Sequence, residues 1–427
     1  PSTSITSGVS NPTNSSPFSV TITFSESVTG FVVGDISVGN GSASNFAGSG
    51  TTYTADITPS GDGTVTVDVG AGVAQDGFGN NNTAATQLSR TYDTQAPATP
   101  AAPNLIAGWD TGTSDADDIT SNTQPRFSGS TEANASIKIN SSIDGQVGTS
   151  TANGSGNWLQ TISGTLSEGT HNITFTATDA AGNESASSSA LSVIVDTSAP
   201  TLSSSSPTDN ATGINASNNI TLTFNENIAF GTGNIEVIDE TDATNSFTID
   251  AANPGTQASI SGAVLTINPG SDLDLSSNYS VRIAATAIDD IAGNSYAGIT
   301  DGTTLNFTTN APPTVTVNND LSLIEGATEL IDSGKLNAND TESGASDITF
   351  TITTAVTNGT LFVDTNPNNT YDGGDVLLSA SASFTLDDLN NDKIRYTNSS
   401  GSSDSFVFTV SDADGGELTN QTFNISI

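Results

Sequence analysis

A five-residue turn motif recurs along this chain of 427 residues at a spacing of about one hundred, and that phase fixes the architecture more tightly than any other feature. Asp76-Gly77-Phe78-Gly79-Asn80 is followed by Asp93-Thr94-Gln95-Ala96-Pro97, and Asp179-Ala180-Ala181-Gly182-Asn183 by Asp196-Thr197-Ser198-Ala199-Pro200. Asn80 to Asp93 and Asn183 to Asp196 are both 13 residues, and Pro97 to Pro200 is 103. A third copy, Asp290-Ile291-Ala292-Gly293-Asn294, precedes Asn310-Ala311-Pro312-Pro313, and Asp412-Ala413-Asp414-Gly415-Gly416 is a degenerate fourth. Tandem domains with acidic boundaries follow, expected at residues 1–95, 96–198, 199–310 and 311–427. Proline at each boundary fixes φ and cannot extend the preceding ladder, so the joints are short and stiff.

Between the boundaries the apolar residues alternate. Phe18, Val20, Ile22 and Phe24 do so in the first domain, and Ile173, Phe175 and Ala177 in the second. Ile220, Leu222 and Phe224 in the third and Phe406, Phe408 and Val410 in the fourth follow the same rule. Period two with one apolar face marks half-buried antiparallel strands, and no amphipathic helix is evident. The expected fold class is all-β: four tandem β-sandwiches of immunoglobulin-like or cadherin-like type in an extended rod.

The charge is lopsided, with 46 Asp and Glu against 7 Lys and Arg for a net −39. Self-repulsion of that size disfavours compaction unless counterions bind. Nucleic acid is excluded as a partner, since there is no basic footprint to meet phosphate. With 0 Cys, neither disulfides nor zinc thiolates hold the domains, which leaves bound metal as the available staple and fits an oxygen-exposed exterior. No apolar run reaches the length of a membrane span, so no membrane insertion is expected in this segment. No signal peptide precedes Pro1, and the chain is expected to be a monomeric piece of something longer whose partners are neighbouring repeats.

Sandwich topology predicts where the acids go. The loop before the last strand and the loop after the second share the N-terminal pole, facing the preceding linker. The first joint then gathers Asp93 with Asp179, Asn183 and Glu132, and the second gathers Asp196 with Glu226, Asp290 and Asn294. At the third, Asn310 meets Asp412 and Asp414, with Asp340 or Glu342 completing the shell. Glu26, Asp76 and Asn80 are the equivalents on the first domain. Calcium suits such sites, taking six to eight oxygens at about 2.3–2.6 Å in irregular geometry. The plain alternative for a single copy is a hairpin turn, since Asp, Gly and Asn all favour turns.

Two further loops carry ligand spacing. Asp364, Asn366, Asn368, Thr370, Asp372 and Asp375 occupy positions 1, 3, 5, 7, 9 and 12 of an EF-hand-like loop, with Asn369 where Gly is usual and Asp375 where Glu is usual. No flanking helices are evident, so a calcium loop within a β-hairpin is expected. In the second domain Asp110, Asp115 and Asp118 can close round one ion or form a solvated acidic loop. Asp35 and Asp239 are weaker candidates. Catalysis finds little support. His171 is the one histidine and is expected at the surface, Trp158 in the core, and Trp109 beside the linker as a joint-packing residue. The chain is not expected to be an enzyme.

These signatures resemble bacterial Ig-like domains of giant surface adhesins secreted by the repeats-in-toxin route. Thr23-Phe24-Ser25-Glu26 and Thr223-Phe224-Asn225-Glu226 are similar to the Ig-like units of surface-layer and adhesin proteins, and Gly129-Ser130-Thr131-Glu132-Ala133-Asn134-Ala135 to the biofilm-associated type. Ile324-Glu325-Gly326, Ile394-Arg395-Tyr396 and Ser405 to Asp412 resemble cadherin-like repeats of the same adhesins. The resemblance implies an extracellular, calcium-rigidified segment on the bacterial cell surface. Its role would be spacing or presenting modules for adhesion to ice, a host cell or a biofilm. The other implied role is that domain 2 or 4 is itself a calcium-dependent glycan or ligand-binding module.

Overall fold

Alternation becomes burial where the sequence says it should. In the strand Phe18–Thr29 the buried positions are Phe18, Val20, Ile22, Phe24 and Val28, with polar residues between them facing water. The regularity fails once, between Thr23 and Val28, where the pairing register with the neighbouring strand shifts. Glu26 sits inside that irregularity rather than at a strand end. The computed structural model covers residues 1–427 and divides into two compact units, Pro1–Thr197 and Ser198–Ile427.

Within the first unit, the leading sandwich packs a sheet of Thr3–Thr6, Phe18–Thr29 and Gly41–Pro59 on a sheet of Ile36–Gly39, Gly63–Val69 and Leu88–Tyr92. Its core holds Ile22, Phe24, Tyr53 and Val65. The second sandwich sets Asn104–Leu105, Arg126–Ser130 and Asn157–Thr161 against a five-stranded sheet built round Ser136–Ser141, Gly169–Thr178 and Leu191–Val195. Trp158 is buried there, edge-on to Phe175 at 4.9 Å between ring centroids, as the alternation predicted. Gly129 is fixed by that ring, since a Cβ on it would stand 2.8 Å from the indole.

The second unit repeats the plan. One sandwich joins Leu202–Ser206, Ile220–Phe224, Val264–Ile267 and Ala258–Ser261 to a five-stranded sheet centred on Asn278–Ile283. Tyr279 opens that central strand, and its hydroxyl accepts the backbone N–H of Asp274 at 3.0 Å, the tyrosine corner of immunoglobulin-like sandwiches. The last sandwich has a five-stranded sheet round Asp404–Ser411 and a four-stranded sheet round Ile394–Asn398.

Two expectations are corrected. A short helix, Leu386–Asn390, interrupts the strands of the last domain, capped by Thr385 and anchored by buried Leu386 and Leu389. His171 is buried, not superficial: Nε2 donates to the Ser167 carbonyl at 2.7 Å and Nδ1 accepts the Ser141 hydroxyl at 2.8 Å. It occupies the same face of its strand as Ile173 and Phe175, so its polar atoms had to be paired internally.

Candidate metal centre

In every copy of the turn motif the Asp first closes its own turn. Asp76 Oδ1 accepts the N–H groups of Phe78 and Asn80 at 2.8 and 2.9 Å, and Oδ2 accepts the Asn80 amide at 2.8 Å. Asp179 and Asp290 are held the same way by Asn183 and Asn294. These bonds hold the Asp76 carboxyl below its ordinary range, the Asn80 amide contributing most. For Asp179 burial is the largest influence and pushes upward, but the bonds from Asn183 and Gly182 outweigh it. The turn chemistry that a single copy suggests is therefore present in all of them.

At the first joint the two domains meet through Asn183. Its Nδ2 donates to the Asp93 backbone carbonyl at 2.9 Å and its Oδ1 accepts the Asn14 amide at 3.1 Å, while the Asn14 N–H donates to the Ala181 carbonyl at 3.1 Å. The turn thus faces the preceding domain, as topology predicts, but the Asp93 carboxylate does not join it; Oδ1 of Asp93 caps Gln95. Glu132 is exposed across a cleft from the linker residues Ala98 to Ala101. At the equivalent tip of the first domain, Phe78 stands 95% exposed where Ala181 is buried.

At the joint inside the second unit the roles are exchanged. Gly416 stands where the other copies have Asn, because a Cβ there would lie 2.8 Å from Pro312 Cα. The missing amide comes from the linker: Asn310 Nδ2 donates to Asp412 Oδ2 at 2.7 Å. Asn310 is fully buried, yet its Oδ1 has no partner. Asp340 Oδ1 accepts from Glu342 and Ser343, while its buried Oδ2 has none. Glu342 packs its Cγ toward Gly213 of the preceding domain, and Asp414 lines a cleft of about 380 Å³ with Asn215, Asp272 and Leu275. Elsewhere in this unit, Glu226 and Asp290 present carboxylate oxygens within 4.8 Å of each other.

The Asp110 loop buries negative charge among its like. The turn Ala107–Trp109 drives Asp110 inward to 6% exposure, where Oδ2 accepts only the Asp118 N–H at 3.2 Å and Oδ1 has no partner. Burial raises its pKa, and the charges of Asp117, Asp118 and Asp115 add to the rise. Asp118 is raised too, by burial and then by Asp117, and holds a left-handed φ of 60°. Arg126 lies 5.2 Å over the ring of Trp109, which packs on its own domain's core.

The EF-hand-like stretch does link a hairpin, Gly359–Val363 with Val376–Leu377. Asn366 and Asn368 both donate to Asp372 Oδ2, and Asp375 accepts from Thr365 and Asp372 backbone N–H groups. Asp364 is buried, and Arg395 Nε donates to its Oδ2 at 2.7 Å; burial pushes its pKa up, but Arg395 and the Asn368 and Asn369 N–H groups hold it down. Of the six ligand-spaced residues, Asn366, Asn368 and Asp372 meet side chain to side chain, and a guanidinium already stands beside Asp364.

Oxygen donors without partners fit a hard cation: such atoms are costly when buried, and calcium accepts carboxylate and amide oxygens alike. Asp110 and Asp340 are both in the set named from sequence, with Asn310 at the same joint; only their burial and lack of partners needed the structure. Family models match four successive stretches: bacterial Ig-like domain models at residues 1–92, 96–197 and 196–309, and a cadherin-like model at 313–427. No curated protein sequence matches the chain. Among solved structures, it is similar to a tetra-tandem repeat from the extending region of a large adhesion protein, at 15% identity over 99% of this chain and 98% of that one, with a TM-score of 0.29. It is also similar to a Ca2+-stabilized adhesin that helps an Antarctic bacterium reach out and bind ice, at 18% identity, 100% and 99% coverage and a TM-score of 0.30. Invasin, a bacterial integrin-binding protein, matches at 11% identity, 99% and 78% coverage and a TM-score of 0.29.

Proposed function

Since the chain is a tandem array of three bacterial Ig-like domains and one cadherin-like domain, we propose that it is a calcium-rigidified extracellular segment of a large bacterial adhesin, spacing or presenting ligand-binding modules for adhesion to a surface. The observation that carries this is the set of buried, partnerless oxygens, Asp110 Oδ1, Asn310 Oδ1 and Asp340 Oδ2, in a chain of net charge −39. No helix is long and apolar enough to cross a membrane.

In this reading Asn310, Asp340, Asp412 and Asp414 hold one ion at the third joint, and Asp110, Asp115 and Asp118 hold another inside domain 2. Glu226, Asp290 and Asn294 offer a further set of oxygens within domain 3, and Asp93, Asp179, Asn183 and Glu132 serve the first joint. Glu26, Asp76 and Asn80 would serve a neighbouring repeat, and the loop 364–375 is a local site. The bound ion supplies positive charge to oxygens that otherwise repel one another. The chain's own residues do the rest: the turns fix the carboxylates, and the prolines limit the linkers. Ions that bind the ordered joint better than the flexible one shift the population towards order, by about 2.7 kcal/mol per site at a hundredfold excess over Kd.

Small-angle scattering in calcium and in chelator tests this. The maximum dimension should be larger and better defined in calcium, and a compact particle in saturating calcium would overturn the proposal. One observation favours a second reading, that domain 4 itself binds a glycan: Tyr371, in the middle of the calcium-type loop, is 46% exposed. Glycan binding that requires calcium and is lost in Tyr371→Ala would establish it.

A further inference from the structure

The first and third joints are built alike. At the first, a Cβ on Gly182, the fourth residue of the turn motif, would stand 3.4 Å from Asn14 Nδ2 of the preceding domain. At the third, a Cβ on Gly415 would stand 3.4 Å from Asn215 Nδ2. Asn14 and Asn215 hold the same place in their own domains. Each follows a residue whose carbonyl accepts an N–H from the start of the linker: Thr13 from Asp93 at 3.0 Å, Ile214 from Asn310 at 2.8 Å. A leading turn therefore seats on a trailing loop, and the last strand fixes where that loop lies. The turn residue before the glycine takes part: Ala181 is buried, and Asp414 shares a cleft with Asn215.

The same two surfaces occur uncovered on domains 1 and 4, and they carry the two most exposed large apolar side chains of the chain. A Cβ on Gly79, the counterpart of Gly182 and Gly415, would meet nothing within 4 Å, and Phe78 before it is 95% exposed. On domain 4 the Leu323 N–H donates to the Ser426 carbonyl at 3.1 Å. That bond sets Ile324, 77% exposed, beside the last strand, where Asn14 and Asn215 stand in their domains. Single exposed apolar residues are ordinary. These two fall on the two halves of a contact that the chain already makes twice. We propose that the leading turn of domain 1 docks on the trailing loop of domain 4 of a second copy of this chain, Phe78 against Ile324. The two halves differ, so the contact does not close on itself and copies join head to tail. Burying the phenyl ring against the isoleucine removes apolar surface from water, while Glu26 and Asp76 on one side and Glu325 on the other oppose the approach until salt screens them. The apolar pair itself needs no ion, so the contact is separable from the calcium reading.

The chain has 0 Cys, so introduced thiols report the contact directly. Phe78→Cys and Ile324→Cys each replace an exposed side chain and leave the cores untouched. The two full-length variants, one carrying a size tag, are mixed in equal amounts and oxidised. A disulfide traps only thiols whose α-carbons come within about 7 Å. The Phe78–Ile324 heterodimer should exceed either homodimer by about tenfold, the preference that even a weak specific contact confers. Leu159→Cys, exposed in mid-strand of domain 2, serves as the control partner for Phe78→Cys and should show no preference. The mixture is run in calcium, and again in chelator with sodium chloride at about 1 M, where charges are screened beyond about 3 Å. A preferred heterodimer in either condition supports the contact. Random pairing in both, or equal trapping of the Leu159 control, would overturn it and leave the Phe78 turn to a different domain. A preferred heterodimer in chelator, beside scattering that does not respond to calcium, would sink the proposed function alone.

Discussion

The exchange between Asn310 and Gly416 shows how one residue's geometry propagates. In three copies the turn Asp takes its amide from the Asn four residues on; in the fourth the linker crowds that position, and Asn310 donates from outside. Asn310→Ala should strand Asp412 Oδ2, a half-buried acceptor, and destabilise the second unit by about 1 kcal/mol, the low end of the cost of an acceptor losing its donor. Denaturant unfolding at fixed calcium would measure it, and a change near zero would mean that water replaces the amide. The turn motif itself was legible in the sequence, because Asp, Gly and Asn have local reasons to be there. The exchange was not, since it depends on how close Pro312 passes to Gly416. His171 was misplaced for a different reason: it stands in the buried phase of its own strand, and polarity was allowed to outweigh phase.

At the level of loops and strands, burial of charge decides the outcome. Asp110→Asn removes a buried negative charge met by a single N–H and crowded by Asp115, Asp117 and Asp118, so in chelator at neutral pH it should raise the melting temperature of the first unit. In calcium the same variant loses a ligand and should lower it. A shift of the same sign in both conditions would remove the Asp110 loop from the set of ion sites. Asp404 behaves oppositely. Burial pushes its pKa up most strongly, but the N–H groups of Thr357, Asn358 and Ser405 and the Tyr396 hydroxyl together hold it below its ordinary value. A depressed carboxyl stabilises the fold above its unfolded pKa and loses that contribution as pH falls through the folded one. The stability advantage of the parent over Asp404→Asn should therefore be full at neutral pH, begin to fade below about pH 4 and vanish under stronger acid, as followed by unfolding at stepped pH. The strands were legible because period two survives in every sheet. The helix Leu386–Asn390 was not, being too short to show a period, although Thr385 and Asp388 form a capping box that signals it. Asp239 is buried opposite Tyr279, and that cross-strand register is not a local property.

For the whole molecule the acids act together. Calcium should raise thermal stability far more than sodium salt of equal ionic strength, since screening treats all charges alike whereas ligation favours only folded sites. Coincident melting curves at matched ionic strength would refute this. The Asn310 and Gly416 exchange has a consequence of another kind, for inheritance. A domain whose turn ends in Gly requires its predecessor's tail to supply an amide, whereas a turn ending in Asn requires only a carbonyl, as Asn183 finds at Asp93. Repeats of this array are therefore not freely shuffled. A recombination event that moved domain 4 without Asn310 would leave the transplanted turn open, so the heritable cassette begins inside the linker, a few residues ahead of the domain it serves.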